Sequence, residues 1–302
     1  MPLVSVITIN YNNTLVTEEL LASLPGADEA FELEVIVVDN GSQPDPVPAW
    51  KEKYPRVTFI RSESNLGFSK GNNLGIKKAS GELLFLVNND TVFTEDLVPR
   101  MVRLFQDHPS VGIASPKIWY YGEEKLIQYA GFTPMNMLTA RNRCVGQFEK
   151  DQGQYDDRTG PTGYIHGAAM MVRREVIKKA GLMPEEFFLY YEEVDWCEEI
   201  RKYGYEIWVE PRAVIYHKES VSVGKNSALK EYYMNRNRIL FIRRNAGPLT
   251  GLGFFMYFLL VVTPRNMLNY IRGGRFELIP ALWRAIGWNL VNPARPLPLQ
   301  KP

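Results

Sequence analysis

The chain has 302 residues, of which 45% are hydrophobic and 23% charged, so it is long enough to bury a large core in one or two domains. Its two cysteines, Cys144 and Cys197, form neither a disulfide framework nor a zinc-binding spacing, which is typical of a reducing compartment. The N-terminus opens on an apolar run without a basic leader, so a secretory signal is not expected.

The net charge of +1 conceals an uneven distribution along the chain. Residues 236–302 contain ten Lys or Arg and one acid, whereas residues 1–235 contain 25 basic and 33 acidic side chains. A basic end of this kind predicts an anionic partner, such as phosphate, nucleic acid or a membrane surface.

The first half of the sequence alternates between apolar runs and helical segments. Continuous Val, Ile and Leu runs separated by helices predict an α/β doubly wound, mainly parallel sheet that is covered on both faces. The predicted strands are Leu3–Ile9, Glu34–Val38, Val57–Arg61, Leu83–Val87 and Val111–Ser115, and the predicted helices are Val16–Ser23, Ser69–Ala79 and Glu95–Gln106.

Polar segments follow four of these strands, at the edge of the sheet where such folds bind ligands. These segments are Thr8–Asn13, Val37–Ser42, Ser62–Asn73 and Val87–Thr91. One segment contains GFSKG, whose glycines and Lys70 suit a phosphate group. Neither the dinucleotide-binding fingerprint nor the P-loop is present.

The second half of the sequence has a different character. A strand entering a helix is predicted from Gly163, a strand pair is predicted to end at His217, and a basic, helix-like region follows after about residue 225. Between them, FFLYYEEVDWCEEIRKYG concentrates acids beside aromatic residues. Acids in a first turn and bases in a last turn are also what the helix dipole favours, so this pattern alone fits both a solvated helix and a reaction site.

Taken together, the motifs from about Val4 to His217 resemble family 2 glycosyltransferases of the GT-A fold, especially the bacterial rhamnosyltransferase-like branch. The resemblance implies a Rossmann-like catalytic domain with a helical, membrane-facing extension. It places the catalytic domain at residues 1–220, with a donor part at about 1–115 and an acceptor part at about 116–220, and the extension at 221–302.

The resemblance also implies roles for individual residues. NND stands at the family's metal-binding DxD motif, so Asp90 is the expected metal ligand and His217 the ligand that completes the site. YEEVDW matches the branch's acidic signature, with Glu193 as the catalytic base and Asp195 placing the acceptor. The residues expected near the sugar-nucleotide donor are Thr8, Asn10, Tyr11, Asp39, Asn65, Gly67, Phe68, Lys70, Asn73, Asn88 and Asn89.

Two further expectations concern the acidic helix. Glu192 and Asp195 should share one face of this helix, while Glu193 should point toward Trp196. The helix N-terminus and a nearby metal ion should leave Glu193 ionised at neutral pH.

The expected activity is transfer of a sugar, with inversion, from a nucleoside diphosphate to a hydroxyl, assisted by Mn²⁺ or Mg²⁺. Within the branch, dTDP-L-rhamnose is the first expected donor, a UDP-sugar the next, and the expected acceptor is a saccharide or a polyprenyl-diphosphate-linked glycan. One alternative is a nucleotidyltransferase, but the segment TINYNN after the first strand contains neither the Gly nor the Arg of the loop that such enzymes usually carry there. Another is a non-catalytic nucleotide- or nucleic-acid-binding protein.

The apolar part of the basic end predicts a membrane contact. Gly251–Val262 is shorter than the roughly 20 apolar residues that span a bilayer, and arginines flank it. We therefore expect an interfacial helix on an anionic leaflet, with the protein in the cytoplasm and peripheral on the inner face of the membrane, and no nucleic acid partner. The alternative is a helix packed on the catalytic domain.

Overall fold

A mixed β-sheet forms the centre of the computed structural model, which describes residues 1–26, 28–218 and 227–292. The strands are β1 Leu3–Asn10, β2 Glu32–Asp39, β3 Thr58–Arg61, β4 Leu83–Asn88, β5 Thr91–Phe93, β6 Val111–Tyr120, β7 Ile127–Tyr129, β8 Gly160–Pro161, β9 Ala169–Arg173 and β10 Glu206–His217. The helices are α1 Thr14–Ser23, α2 Val47–Lys53, α3 Gly67–Lys78, α4 Leu97–Asp107, α5 Arg174–Ala180, α6 Glu192–Lys202, α7 Ala228–Asn245, α8 Pro248–Tyr257, α9 Thr263–Arg272 and α10 Leu278–Val291.

The strand order along the sheet is β3-β2-β1-β4-β9-β6-β10-β5. The first four strands are parallel, so the ends of β1, β2 and β4 lie side by side at one edge. This arrangement confirms the predicted α/β fold and brings the polar segments after these strands together.

The sheet beyond β4 departs from the predicted pattern. Strand β9 runs antiparallel to both β4 and β6, so this part of the sheet is not parallel throughout. The predicted strand pair before His217 is instead one strand, β10, whose register against β6 shifts between Glu210 and Val214. Pro211 lies within the shift, and a residue without a backbone N–H interrupts pairing without ending the strand.

The C-terminal helices share the core of the sheet. Ile239 and Phe241 of α7 are buried in the same cluster as Ile7 of β1 and Leu86 of β4. The predicted domain boundary at residues 220 and 221 lies outside the described residues.

The apolar C-terminal segment forms a longer helix than the sequence predicts. Helix α8, a π-helical turn at Phe258–Val262 and α9 follow one another without a break, so a helix runs over Pro248–Arg272. Its 25 residues make it, by length and apolar composition, the one helix long enough to cross a membrane among residues 1–26, 28–218 and 227–292. Gly251–Val262 is thus part of a longer helix, and whether this helix lies on a membrane or spans one stays a prediction.

This helix has two apolar sides. Phe254, Phe258 and Val262 are buried against the protein, whereas Leu252 and Leu260 are 62% and 67% exposed. The helix therefore packs on the protein with one side and leaves leucines uncovered on the other.

Candidate active site

A cavity of about 500 Å³ opens at the carboxyl ends of β1 and β4. Tyr11, Asn65 and Phe68 line it together with Glu193 and His217. The ends of β1, β4 and β10 and the N-terminus of α6 therefore all contribute to its wall.

A buried asparagine shapes the donor-end loop. The side chain of Asn40 donates to Asn65 Oδ1 (3.1 Å) and the Gly67 carbonyl, and it accepts from the Leu66 amide (3.0 Å). Gly67 has φ +80°, and a Cβ there would lie 2.5 Å from the carbonyl oxygen of Phe188. Only glycine fits this contact between the donor loop and the aromatic loop before α6.

A hydrogen-bond network supports the donor end. Asn10 donates to Asp39 Oδ1 (2.8 Å), and Arg61 binds Asp39 Oδ2 (2.5 Å). Asn10 also accepts from Thr17, which in turn accepts from Asn89 on the cavity wall. Asn10 and Asp39 are fully buried, so they brace the strand ends, and the contact of Asp39 with a base stays a prediction.

Besides Asn10 and Asp39, three further predicted donor residues lie away from the cavity wall. Thr8 is buried within β1, and Lys70 is half exposed with its nearest carboxylate, on Glu185, at 4.0 Å. Asn73 is buried. Its Nδ2 donates to the Met183 carbonyl (2.9 Å), and its Oδ1 accepts from the Met183 amide (3.1 Å). Asn73 thus fastens the loop before α6 to α3.

The cavity contains a paired acid and imidazole. Asp90 and His217 are both buried, and Asp90 Oδ1 lies 3.1 Å from His217 Nε2. Strand pairing sets this distance, because Thr91 pairs with His217 in the β5–β10 ladder. On its other side, His217 Nδ1 lies 2.8 Å from Gln128 Oε1.

The two atoms fit a divalent cation. When Nδ1–H of His217 donates to Gln128, Nε2 presents a lone pair toward Asp90 Oδ1, which has no hydrogen-bond donor. Their separation is that of two neighbouring ligands on one ion, each about 2.1 Å from it. No group of three or more His, Cys, Asp or Glu suited to a metal occurs in the described part of the chain, so substrate oxygens would complete the coordination.

Two consecutive glutamates reach the cavity from the start of α6. Burial raises the pKa of Glu193 to about 7, and burial together with the charge of Glu193 raises the pKa of Glu192 well above its usual range. Desolvation thus exceeds the effect of the helix amides, and the expectation that a nearby metal ion also helps to keep Glu193 ionised at neutral pH stays a prediction. Glu192 holds its proton more tightly, so Glu193 is the carboxyl that ionises first.

Asp195 faces away from the cavity. Its carboxylate accepts from Arg244 Nε (3.0 and 3.1 Å) and from Asn245 Nδ2 (2.6 Å), so it joins α6 to the end of α7. Helix α6 begins at Glu192, and its first two residues, Glu192 and Glu193, line the cavity, whereas Asp195 does not. Trp196 is buried and donates to the Gly181 carbonyl.

The loop before α6 is held in an unusual conformation. Phe188, Tyr190 and Tyr191 all have positive φ, between 63° and 73°, which costs on the order of 1–3 kcal/mol for each such residue. Asn237 of α7 compensates, because its Nδ2 donates to the carbonyls of Phe187 (2.9 Å), Leu189 (2.7 Å) and Tyr190 (2.7 Å).

The sequence of this chain is similar to those of known proteins. The glycosyl transferase family 2 model matches residues 5–181, more than half of the chain. The chain belongs to glycosyltransferase family 2. Its similarity to rhamnosyl- and hexosyltransferases places this glycosyltransferase in the rhamnosyltransferase-like branch.

Two relatives and one structure illustrate the similarity. The enzyme is 26% identical over 241 residues to low-salt glycan biosynthesis hexosyltransferase Agl10 of Haloferax volcanii, covering 78% of this chain and 74% of the relative. It is 24% identical over 244 residues to N-acetylglucosaminyl-diphospho-decaprenol L-rhamnosyltransferase of Mycobacterium tuberculosis, covering 74% and 78%. The mannosyltransferase PcManGT of Pyrobaculum calidifontis, solved with GDP-Man and Mn²⁺, superposes with a TM-score of 0.56 at 17% identity, covering 97% and 76%. This superposition confirms the GT-A fold.

Several residues that line the cavity of this glycosyltransferase were not predicted from the sequence. Burial and the nearby His217 lower the pKa of His166 to about 3, so this neutral imidazole adds a polar edge to the cavity. Gln128, Phe132 and Asn40 also line the wall. Of these residues, only Asn40 could have been predicted from the sequence, because it directly follows β2, at the strand end where ligands bind.

Proposed function

We propose that this glycosyltransferase inverts the anomeric centre as it moves a sugar from a nucleoside diphosphate to a hydroxyl of a saccharide or lipid-linked acceptor in cell-surface polysaccharide synthesis. The observation that carries the proposal is one cavity lined both by Glu193, with its pKa near neutrality, and by the Asp90–His217 pair. The first donor to test is dTDP-L-rhamnose, since the Mycobacterium relative is named an L-rhamnosyltransferase, and UDP-sugars follow.

Glu193 acts as the general base in this proposal. Its carboxylate takes the proton of the acceptor hydroxyl as that oxygen bonds to the anomeric carbon and the bond to the diphosphate breaks. A single displacement inverts the centre and leaves no covalent enzyme intermediate. Glu192, which keeps its proton, adds no second negative charge beside the attacking oxygen.

Asp90 and His217 would hold Mn²⁺ or Mg²⁺, and the imidazole favours Mn²⁺. A bound cation would neutralise charge that develops on the departing diphosphate. Asn88 at the first position of the motif is uncharged, so the carboxylate of Asp90 carries the protein's negative charge at this site.

The donor lies, in this proposal, at the end of the cavity lined by Tyr11, Asn65 and Phe68. Gly67 lets the loop backbone approach it, and Asn88 and Asn89 lie between the donor and the Asp90 site. Asn10, Asp39 and Asn73 contribute from outside the wall, by keeping the strand ends and the loops in place.

The enzyme meets its acceptor at the cytoplasmic face of the membrane in this proposal. The uncovered leucines of the Pro248–Arg272 helix and the basic C-terminal region supply an apolar and a cationic surface there. The peripheral and the spanning arrangements differ in one measurement, since alkaline carbonate releases a peripheral protein from vesicles and leaves a spanning one in the pellet.

Hydrolysis of the donor tests the proposal. The purified enzyme is incubated with Mn²⁺ and a panel of sugar nucleotides, without acceptor, and release of the nucleoside diphosphate is scored. One donor should be hydrolysed slowly, and EDTA should stop its turnover. A protein that hydrolyses no member of the panel and binds none in calorimetry would contradict the proposal.

A further inference from the structure

A second pocket, of about 400 Å³, lies behind the aromatic loop and is strongly basic. Arg141, Lys230, Arg238 and Arg275 line it, and Glu231 is the one acid on its wall. The Glu231 carboxylate already accepts from Asn235 (2.5 Å) and from the hydroxyl of Tyr270. Arg275 pairs with Glu277 (3.3 Å), so the pocket presents three cations, Arg141, Lys230 and Arg238, that pair with no carboxylate of the described residues.

Arg238 is the most enclosed of these cations. Its Nε is buried without a hydrogen-bond partner, whereas one of its terminal nitrogens donates to the Thr139 carbonyl. Within the described residues, Arg141, Lys230 and Arg238 form no ion pair, although three cations share a small space. Burial lowers the pKa of Arg238, and the charge of Arg141 lowers it further. A buried donor of this kind is costly unless an acceptor reaches it from the pocket.

The pocket adjoins the catalytic cavity. Lys230 lines both of them, and its Nζ lies 5.9 Å from the centre of the Tyr190 ring. Tyr191 lines the basic pocket, and the next two residues along the chain, Glu192 and Glu193, line the catalytic cavity. A sugar at Glu193 and a group attached to it can therefore occupy the two spaces together.

Apolar surface lies close to the basic pocket. Asn266 and Arg275 on its wall are near Leu268, Ile271 and Phe276, which are 45%, 50% and 60% exposed. A ligand with an anionic head and an apolar tail would match the basic pocket and the apolar surface beside it.

We propose that the basic pocket binds the diphosphate of a prenyl-diphosphate-linked acceptor, so that the acceptor sugar enters the catalytic cavity and the prenyl chain leaves over the exposed side of α9. The assignment to the acceptor rests on the proposed function, whereas binding of a diphosphate does not. A phosphate of a membrane lipid headgroup shares the same chemistry, so the experiment separates the two sources.

The test measures binding of farnesyl diphosphate, farnesol and phosphatidylglycerol vesicles to the full chain. EDTA is present throughout, so that no diphosphate binds through a metal at Asp90. The variant R141Q/R275Q removes two cations from the pocket, and R56Q/R103Q removes two exposed cations elsewhere as a matched control. Lys230→Gln is the second pocket variant, for use where the double variant folds poorly.

Farnesyl diphosphate should bind the wild type and the control equally and the pocket variants about 10-fold or more weakly, the scale of a lost charge-assisted contact. Farnesol should bind all of the proteins equally. Equal binding of farnesyl diphosphate to every protein would overturn the proposal. If the vesicles alone bind the pocket variants more weakly, the site holds a lipid headgroup and the acceptor assignment is wrong.

Donor hydrolysis by the wild type is scored separately. If the wild type hydrolyses no donor, that result counts against the proposed transferase activity. Binding of farnesyl diphosphate that depends on Arg141 and Arg275 would still support the diphosphate site.

Discussion

The two ends of the catalytic cavity are built in different ways. The donor end consists of side chains that directly follow β1, β2 and β4, and buried hydrogen bonds such as Asn10 to Asp39 hold them. The acceptor end consists of a loop with positive φ and buried carboxyls, and Asn237 holds it from about 50 residues further along the chain. The proposed donor end is thus fixed by hydrogen bonds among segments that follow neighbouring strands, and the proposed acceptor end by contacts from α7 and by burial, which raises carboxyl pKa values.

The largest effect should follow loss of the base at the acceptor end. Glu193→Gln should lower transfer by ~10²–10⁴-fold, the usual contribution of general-base catalysis, while the donor still binds. Transfer kinetics measure this, with Glu198→Gln on the same helix as the matched control. If Asp195→Asn abolishes transfer while Glu193→Gln retains most of it, the base is wrongly assigned.

A somewhat smaller loss should follow a change at the metal pair. Asp90→Asn should lower turnover by about 10²-fold or more, because one group that stabilises charge is removed. Asp96→Asn, an exposed acid nearby along the chain, serves as the control in the same Mn²⁺-dependent assay. A wild-type rate that EDTA leaves unchanged would show that Asp90 and His217 do not bind a required metal.

The residues that follow strands could be predicted from the sequence, whereas those brought together by long-range contacts could not. Polar residues after parallel strands signal a site, so Asn65, Gly67 and Asp90 could be placed on the cavity wall before the structure was known. No short pattern reveals that Gln128 lies beside His217, because 89 residues separate them. Nor does a pattern show how much water a carboxylate loses, so the raised pKa of Glu193 could not be predicted from the sequence.

The pH dependence of transfer should report the raised pKa of Glu193. The base works as a carboxylate, so kcat/KM should rise with pH, level off above about pH 7, and fall about tenfold for each unit below it. The residual activity of Glu193→Gln should lack this limb. A wild-type profile that is flat from pH 5 to 8 would contradict the role of Glu193 in the free enzyme.

The smallest of these effects should follow loss of the clamp on the aromatic loop. Asn237→Ala leaves the carbonyls of Leu189 and Tyr190 without this donor, so transfer should fall by about tenfold and the free energy of unfolding by about 1–3 kcal/mol. Thermal melts and transfer kinetics measure the two changes, with Asn292→Ala at the end of α10 as the control. Donor affinity should stay unchanged, and a loss of donor affinity equal to the loss of transfer would mean that both ends depend on this loop.

The most direct test of the division is nucleotide binding by Asp90→Asn and Glu193→Gln side by side. Calorimetry with Mn²⁺ measures the Kd of the nucleoside diphosphate released from the true donor. We predict that Asp90→Asn weakens binding about tenfold or more, and that Glu193→Gln binds like the wild type while it fails in transfer. Equal loss of nucleotide binding in both variants, or none in Asp90→Asn, would contradict separate donor and acceptor ends.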